Sequence, residues 1–266
     1  MPKRRIQAGM PFRALAASCL ALLLLVGCGS GNDEAAEPVE STPTVSEPLP
    51  APAIVDVYFL RDGKVGPVHR EITGTGVGRA AIMELLEGPA TPERAAGLRT
   101  AISTGSKLEA ISISGGVATV ELSEALDPSA EAQVVYTLTQ FDTVRRVSIG
   151  GGEPIGRGEL EDFTPSVLVE SPVPGQAVHT PLRITGTANT FEATFNVELL
   201  DQEGKVLGKR FVTATSGSGT RGTFDAEVPF KITREGPGSL VVFELSAEDG
   251  SRIHVQEIPL QITLFP

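Results

Sequence analysis

Ile54-Val55-Asp56-Val57-Tyr58-Phe59-Leu60 is the stretch on which the fold turns. It is β-branched and aromatic, and Asp62-Gly63 follows close behind it. An Asp-Gly pair between two apolar runs is a strong hairpin signal, because both central residues of the tight turn need positive φ. Residues 65–72 are therefore read as the returning strand. The period then changes. Ala81, Ile82, Leu85 and Leu86 recur at helical spacing within residues 80–87, and Gly88-Pro89 stops the run. Residues 108–114 and 117–122 flank Gly115-Gly116 as a second hairpin, with Ile111 and Ile113 alternating with serines. Asp127 is placed to cap the next helix, with Pro128 in its first turn. Val134, Leu138 and Phe141 line one face of that helix, and residues 144–149 form a closing strand. The order ββαββαβ predicts a small α+β domain with helices on one side of a sheet.

Gly150-Gly151-Gly152 to Thr164 reads as a boundary. Beyond it the helical period disappears. Short alternating runs around Leu168, Ile184, Val197, Phe224 and Phe243, with residues 205–215 and 252–264, make about seven strands. Turn residues such as Pro174-Gly175, Glu203-Gly204 and Asp249-Gly250 separate them. That spacing predicts an all-β immunoglobulin-like sandwich without its disulfide. Phe195, Phe224 and Phe243 are its expected core residues.

Upstream, Lys3, Arg4, Arg5 and Arg13 precede an apolar run from Ala14 to Val26. That run is too short to span a bilayer comfortably, since a spanning helix needs roughly 20 apolar residues. It ends in Leu25-Val26-Gly27-Cys28, which looks like a bacterial lipobox: a small residue, then a thiol that accepts the lipid. The expected processing removes residues 1–27 as a lipoprotein signal peptide and leaves a lipid, of which palmitate is one form, on Cys28. Residues 28–53 hold five acidic residues, five prolines and no Lys or Arg. They read as a disordered tether, because they cannot bury enough apolar surface to offset the entropy of ordering. Such a coil reaches ~30 Å, or ~80 Å if extended as polyproline. The folded part is divided into residues 54–164 and 165–266.

The mature chain would hold 18 Lys/Arg against 33 Asp/Glu, a net charge of −15. So acidic a surface repels phosphate backbones and anionic headgroups, which argues against nucleic acid as a partner. Membrane contact is expected through the lipid alone, with the protein exported and extracytoplasmic. Of the two cysteines, Cys19 would be discarded with the leader and Cys28 lipidated, so each domain must be held by its apolar core. Trp is absent and aromatics total 5%, which disfavours stacking-type sugar sites.

Two families are recognisable in these residues. Residues 54–164 resemble the GerMN domain of GerM-type lipoproteins through Val68-His69-Arg70-Glu71-Ile72, Leu85-Leu86-Glu87-Gly88-Pro89, Gly97-Leu98, Gly116-Val117-Ala118-Thr119-Val120 and Val135-Tyr136-Thr137-Leu138-Thr139-Gln140-Phe141. Residues 166–264 resemble the immunoglobulin-like domain of bacterial spore germination through Ser171-Pro172-Val173-Pro174-Gly175, Gly186-Thr187-Ala188, Gly222-Thr223-Phe224 and Ser246-Ala247-Glu248-Asp249-Gly250-Ser251. The resemblance implies a cell-envelope binding or assembly module, linked by name to sporulation and germination. It attributes no catalytic residues. The GerMN topology also resembles ring-building envelope domains, an analogy of fold alone.

The residues announce little chemistry. His69, His179 and His254 lie far apart, outside metal-ligand spacing, so no metal or other cofactor is expected. Gly217-Ser218-Gly219 fails as a nucleophile elbow, which needs a strand-to-helix turn. Gly74-Thr75-Gly76-Val77-Gly78 reads either as a flexible loop or as an anion site before the first helix. Glu161-Asp162 and Glu248-Asp249 read as solvated turns rather than acid/base pairs. Thr139 and Gln140 read either as an exposed or capping end of the second helix or as an interaction surface. The expectation is a non-enzymatic, lipid-anchored envelope protein with no catalytic residue. Its partners would be an envelope protein or its own copies, with peptidoglycan a further candidate. The alternative is a peptidoglycan hydrolase or its accessory factor.

Overall fold

The computed structural model describes residues 52–232 and 234–264. The leader, Cys28 and nearly all of the tether fall outside these residues. The first domain opens with β1 (Ala53–Arg61) and β2 (Lys64–Ile72), paired antiparallel from Ala53↔Ile72 to Arg61↔Lys64. Asp62 (φ 51) and Gly63 (φ 76) make the turn, both with the positive φ that matches the strand twist. Helix α1 (Val77–Glu87) starts three residues earlier than its apolar period suggests. A short α2 (Thr91–Ala95) follows, which no periodicity marks. Then come β3 (Leu108–Ser114), β4 (Val117–Leu122), α3 (Pro128–Leu138) and β5 (Arg146–Ile149). The five strands form two ladders, β1-β2 and β3-β4-β5, with β5 parallel to β4.

The sequence places one face of α3 in the core. The structure buries eight of its residues, from Ala130 to Leu138, on every side. Asp127 caps it as its spacing requires, accepting from the Ser129 and Ala130 N–H groups at 2.9 and 2.8 Å. The polar residues of the helix have a specific task. Strand β1 bonds β2 on one edge only, so Asp56, Tyr58 and Leu60 turn their backbone groups the other way. Gln140 accepts from Asp56 N–H (2.7 Å) and donates to Asp56 C=O. Thr137 accepts from Tyr58 N–H (3.1 Å), and Gln133 donates to Tyr58 C=O (3.0 Å). Leu60 and Arg99 exchange both backbone bonds at 2.8 Å. Gln133, Thr137 and Gln140 stand at i, i+4 and i+7, one stripe of the helix that does the work of a missing strand.

The second domain is a sandwich of eight strands: β6 (Val167–Ser171), β7 (Ala177–Val178), β8 (Leu182–Ala188), β9 (Thr194–Asp201), β10 (Val206–Thr213), β11 (Gly222–Val228), β12 (Gly236–Leu245) and β13 (Arg252–Ile262). They form sheets of order β10-β9-β12-β13-β7 and β11-β8-β6. Strand β7, two residues long and parallel to β13, is too short for any sequence pattern to reveal. Phe195 and Phe224 meet edge to face in the core, centroids 4.9 Å apart. Phe243 is buried as expected but lies outside the main cluster. It alternates with Leu240 and Val242 onto the outer face of its sheet. There Arg252 covers its ring at 4.0 Å and bonds Glu198.

Candidate functional site: a groove between two domains sharing one strand

Strand β6 belongs to both domains. Val167 and Val169 point into the sandwich core, and Leu168 between them points into the first core. This follows from the two-residue period of a strand whose two faces both meet apolar surface. The segment that reads as a boundary is a wedge rather than a linker. Residues 157–163 form a 3₁₀ helix (Arg157–Phe163), and Leu160 is buried in the first core.

Arg157 is the centre of the junction. Its guanidinium lies 4.6 Å from the Tyr136 ring and 5.5 Å from the Tyr58 ring. It bonds Glu170 of β6 at 2.6 Å and Thr139 Oγ1 at 2.7 Å. The Tyr58 hydroxyl donates to the same Glu170 oxygen at 2.6 Å, and burial pushes its phenol well up. A second clasp lies beside it. Arg221 binds Glu161 through two nitrogens at 3.0 and 2.8 Å, and Asn189 adds a bond at 2.7 Å. Glu161, which reads as a solvated turn acid, has its pKa lowered by these contacts, led by the Arg221 hydrogen bond.

Alongside the junction runs a groove of about 620 Å³. Val65, Leu98, Leu168 and Ile258 supply apolar lining, and Arg61, Asp62, Lys64, His254 and Glu257 supply charge. A volume of this size at a domain interface is typical of binding sites. The cationic groups are partly committed. Arg61 Nη1 donates to Glu257 C=O (2.7 Å), Lys64 Nζ to Asp162 C=O (2.7 Å), and His254 Nδ1 meets the buried Glu244 carboxylate (2.7 Å). Arg61 Nε and Nη2 are buried without a hydrogen-bond partner among the described residues.

Asp56 sits on the same side of β1 as Tyr58, 3.3 Å from His69. Burial raises its pKa, His69 opposes this, the Glu170 charge adds to it, and Arg157 opposes it. The native state therefore holds this proton more tightly than the unfolded chain does, and ionised Asp56 costs stability above its unfolded pKa of about 3.9. Stability from this group rises as pH falls through the folded value and levels off below the unfolded one. Asp56→Asn is expected to raise the urea midpoint at pH 7, with the gain shrinking as pH is lowered toward 4; a midpoint lowered equally at both pH values would contradict this.

The structure places Thr139 and Gln140 at the C-terminal end of α3. Thr139 is its C-cap, donates to Val135 C=O (2.7 Å) and accepts from Arg157. Both amide hydrogens of Gln140 are used, on the Asp56 and Thr137 carbonyls. These side-chain donors serve intramolecular bonds, the capping role that the sequence also offers. The sequence marks Tyr58 and Leu168 only as strand residues and does not mark Arg157 or Glu170 at all. The Gln133-Thr137-Gln140 spacing along α3 and the turn after it is the one available signal. His69 and His254 each pair with a carboxylate, while His179 is exposed. Among the described residues no group of three or more His, Cys, Asp or Glu side chains could hold a metal ion. Among them, too, no helix is long and apolar enough to cross a membrane.

Residues 56–154 match the family model described as sporulation and spore germination. Residues 166–251 match the model described as immunoglobulin-like domain of bacterial spore germination. The α+β domain, the sandwich and these two matches define the class: a GerMN-type domain followed by an immunoglobulin-like one. The chain thus carries a domain of the sporulation and spore germination family followed by an immunoglobulin-like domain of bacterial spore germination. Among solved structures it is similar to the tandem GerMN domains of the sporulation protein GerM from Bacillus subtilis, at 26% identity and TM-score 0.36, over 40% of this chain and 45% of that one. The first GerMN domain of the same protein matches at 22% identity and TM-score 0.29, over 39% of this chain and 90% of that one. A putative lipoprotein from Clostridium perfringens matches at 16% identity and TM-score 0.27, over 42% of this chain and 93% of that one. The chain thus spans less than half the length of the tandem GerMN structure. No curated protein matches it.

Proposed function

We propose that this protein is a non-enzymatic envelope lipoprotein that works as a binding and assembly module, with a GerM-like role. It is exported, cut before Cys28 and held at the membrane by a lipid on that sulfur, with the tether setting its folded domains outward. The observation that carries this reading is the locked pair of domains. Strand β6 ties both cores, and the groove beside it is a preformed surface whose cationic groups are partly committed to structural bonds. A rigid, largely preorganised surface loses little entropy when a partner docks. The occupant is an envelope protein or another copy of the chain, and the acidic surface disfavours nucleic acid.

The test combines two measurements on the full chain. In-gel assay on purified peptidoglycan should show no clearing, and clearing would replace this reading with that of a hydrolase. Cys28→Ser should leave the folded domains intact and move the protein from the membrane pellet to the soluble fraction. Retention in the pellet after a salt wash would mean that the apolar leader is an uncleaved anchor.

A further inference from the structure

Natural sheets blunt their open edges with charge, proline, bulges or cover, because a bare edge recruits another strand. Most edges among the described residues show such a device. The β1 edge is covered by the side chains of α3. Strands β2 and β13 carry Pro67 and Pro259, which lack an N–H. Strand β10 carries Lys209 and Arg210, and β11 carries Asp225 and Glu227. Strand β3 has its charge, Glu109, and its register shift only at its start, between Leu108 and Ala110. The rest of the strand, Ala110-Ile111-Ser112-Ile113-Ser114, holds no charge and no proline.

The register of β3 on β4 decides which groups are open. Ser114↔Val117 flanks the two-residue Gly115-Gly116 turn, so Ser114, Ser112 and Ala110 bond β4. Ile111 and Ile113 turn their N–H and C=O groups outward, where they find no partner among the described residues. Apolar surface lies beside them. Ile113 is 43% exposed although it packs beside Gly78, and Val77, the residue before Gly78, is 39% exposed.

The geometry points to a second copy of this chain as the occupant, pairing β3 antiparallel to β3 about a two-fold axis through Ser112. This deepens the assembly reading above and rests on it. With that axis Ile111 faces the partner's Ile113 and Ile113 faces its Ile111, so the two open residues of each strand exchange hydrogen bonds. Ala110 faces Ser114, and Ser112 faces itself, so no bulky side chain opposes another on the second face. Charge complements the same register. Glu109, exposed, falls opposite the partner's Gly115. Arg145 reaches across that hairpin tip, its Nη2 donating to Gly115 C=O at 3.1 Å. Each ladder end then brings a carboxylate to a guanidinium, and closed two-fold pairing uses the same patch on both copies.

Cysteine crosslinking in membranes holding the full chain tests the register. In a non-hydrogen-bonded antiparallel pair the two Ser112 Cα atoms would lie ~4.5 Å apart, within disulfide reach. The two Ser114 Cα atoms would lie ~14 Å apart, beyond it. Mild oxidation should therefore convert Ser112→Cys to a covalent dimer, while Ser114→Cys and the unsubstituted chain stay monomeric on a non-reducing gel. In the Ser112→Cys background, Glu109→Arg or Arg145→Glu alone should slow crosslinking about fivefold, and the two together should restore it. Absence of a Ser112→Cys dimer, or equal dimer at residues 112 and 114, overturns the pairing. Those results leave the assembly reading standing, whereas clearing of peptidoglycan would sink that reading without moving the crosslink.

Discussion

Gln133→Leu is expected to lower the unfolding free energy by about 3 kcal/mol, with little change in the urea m-value. Gln133 is fully buried on α3. Its amide donates to Tyr58 C=O at 3.0 Å and accepts from Ala101 N–H at 2.8 Å. Leucine nearly matches its volume, so no cavity forms. The cost comes from one carbonyl and one N–H left unpaired in the interior, each worth about 1–3 kcal/mol. Equilibrium urea unfolding measures it. A loss below about 1 kcal/mol would mean that water reaches the β1 edge, and that the helix stripe is not its cover.

Arg157→Met is expected to cost about 3 kcal/mol, at the lower end for breaking a buried ion pair because both partners keep some water. Arg157 and Glu170 retain 25% and 24% of their side-chain exposure. Methionine preserves packing between the Tyr58 and Tyr136 rings but strands the Glu170 carboxylate beside the buried Tyr58 hydroxyl. Glu170→Gln added to Arg157→Met should recover at least half of the loss, since a neutral amide can take the Tyr58 bond without a desolvated charge. A double variant as unstable as the sum of the two single ones would show that Arg157 and Glu170 act independently. Because β6 ties the two cores, the wild-type chain should unfold in one transition, and Arg157→Met should broaden or split it.

Much of this architecture is legible in the chain. Asp62-Gly63 and Gly115-Gly116 place the hairpins because tight turns need positive φ at both central residues. Asp127-Pro128 places the start of α3 because its orphan N–H groups need an acceptor and its first turn tolerates proline. These are local requirements, met by neighbours in sequence. Phe243 shows the limit. Alternation assigns it a face, but in a strand buried on both sides the pattern does not say which face is the core. The site was less legible still. Gln140 stood out as a polar residue, but the Asp56 backbone that occupies it lies 84 residues away.

The sequence by itself determined two domains of different class, the placement of most strands and of the helices α1 and α3, and an acidic composition. Each of these follows from periodicity, turn chemistry or composition, which act over a few residues. Only the tertiary structure decided that Leu168 would plug the first core while its neighbours fill the second. It also decided that Arg157 would stack between two tyrosines, and that Ile111 and Ile113 would keep an open edge. These contacts join residues far apart in the chain. Their formation depends on which face of one element meets which edge of another, and a linear pattern of polar and apolar residues does not hold that information.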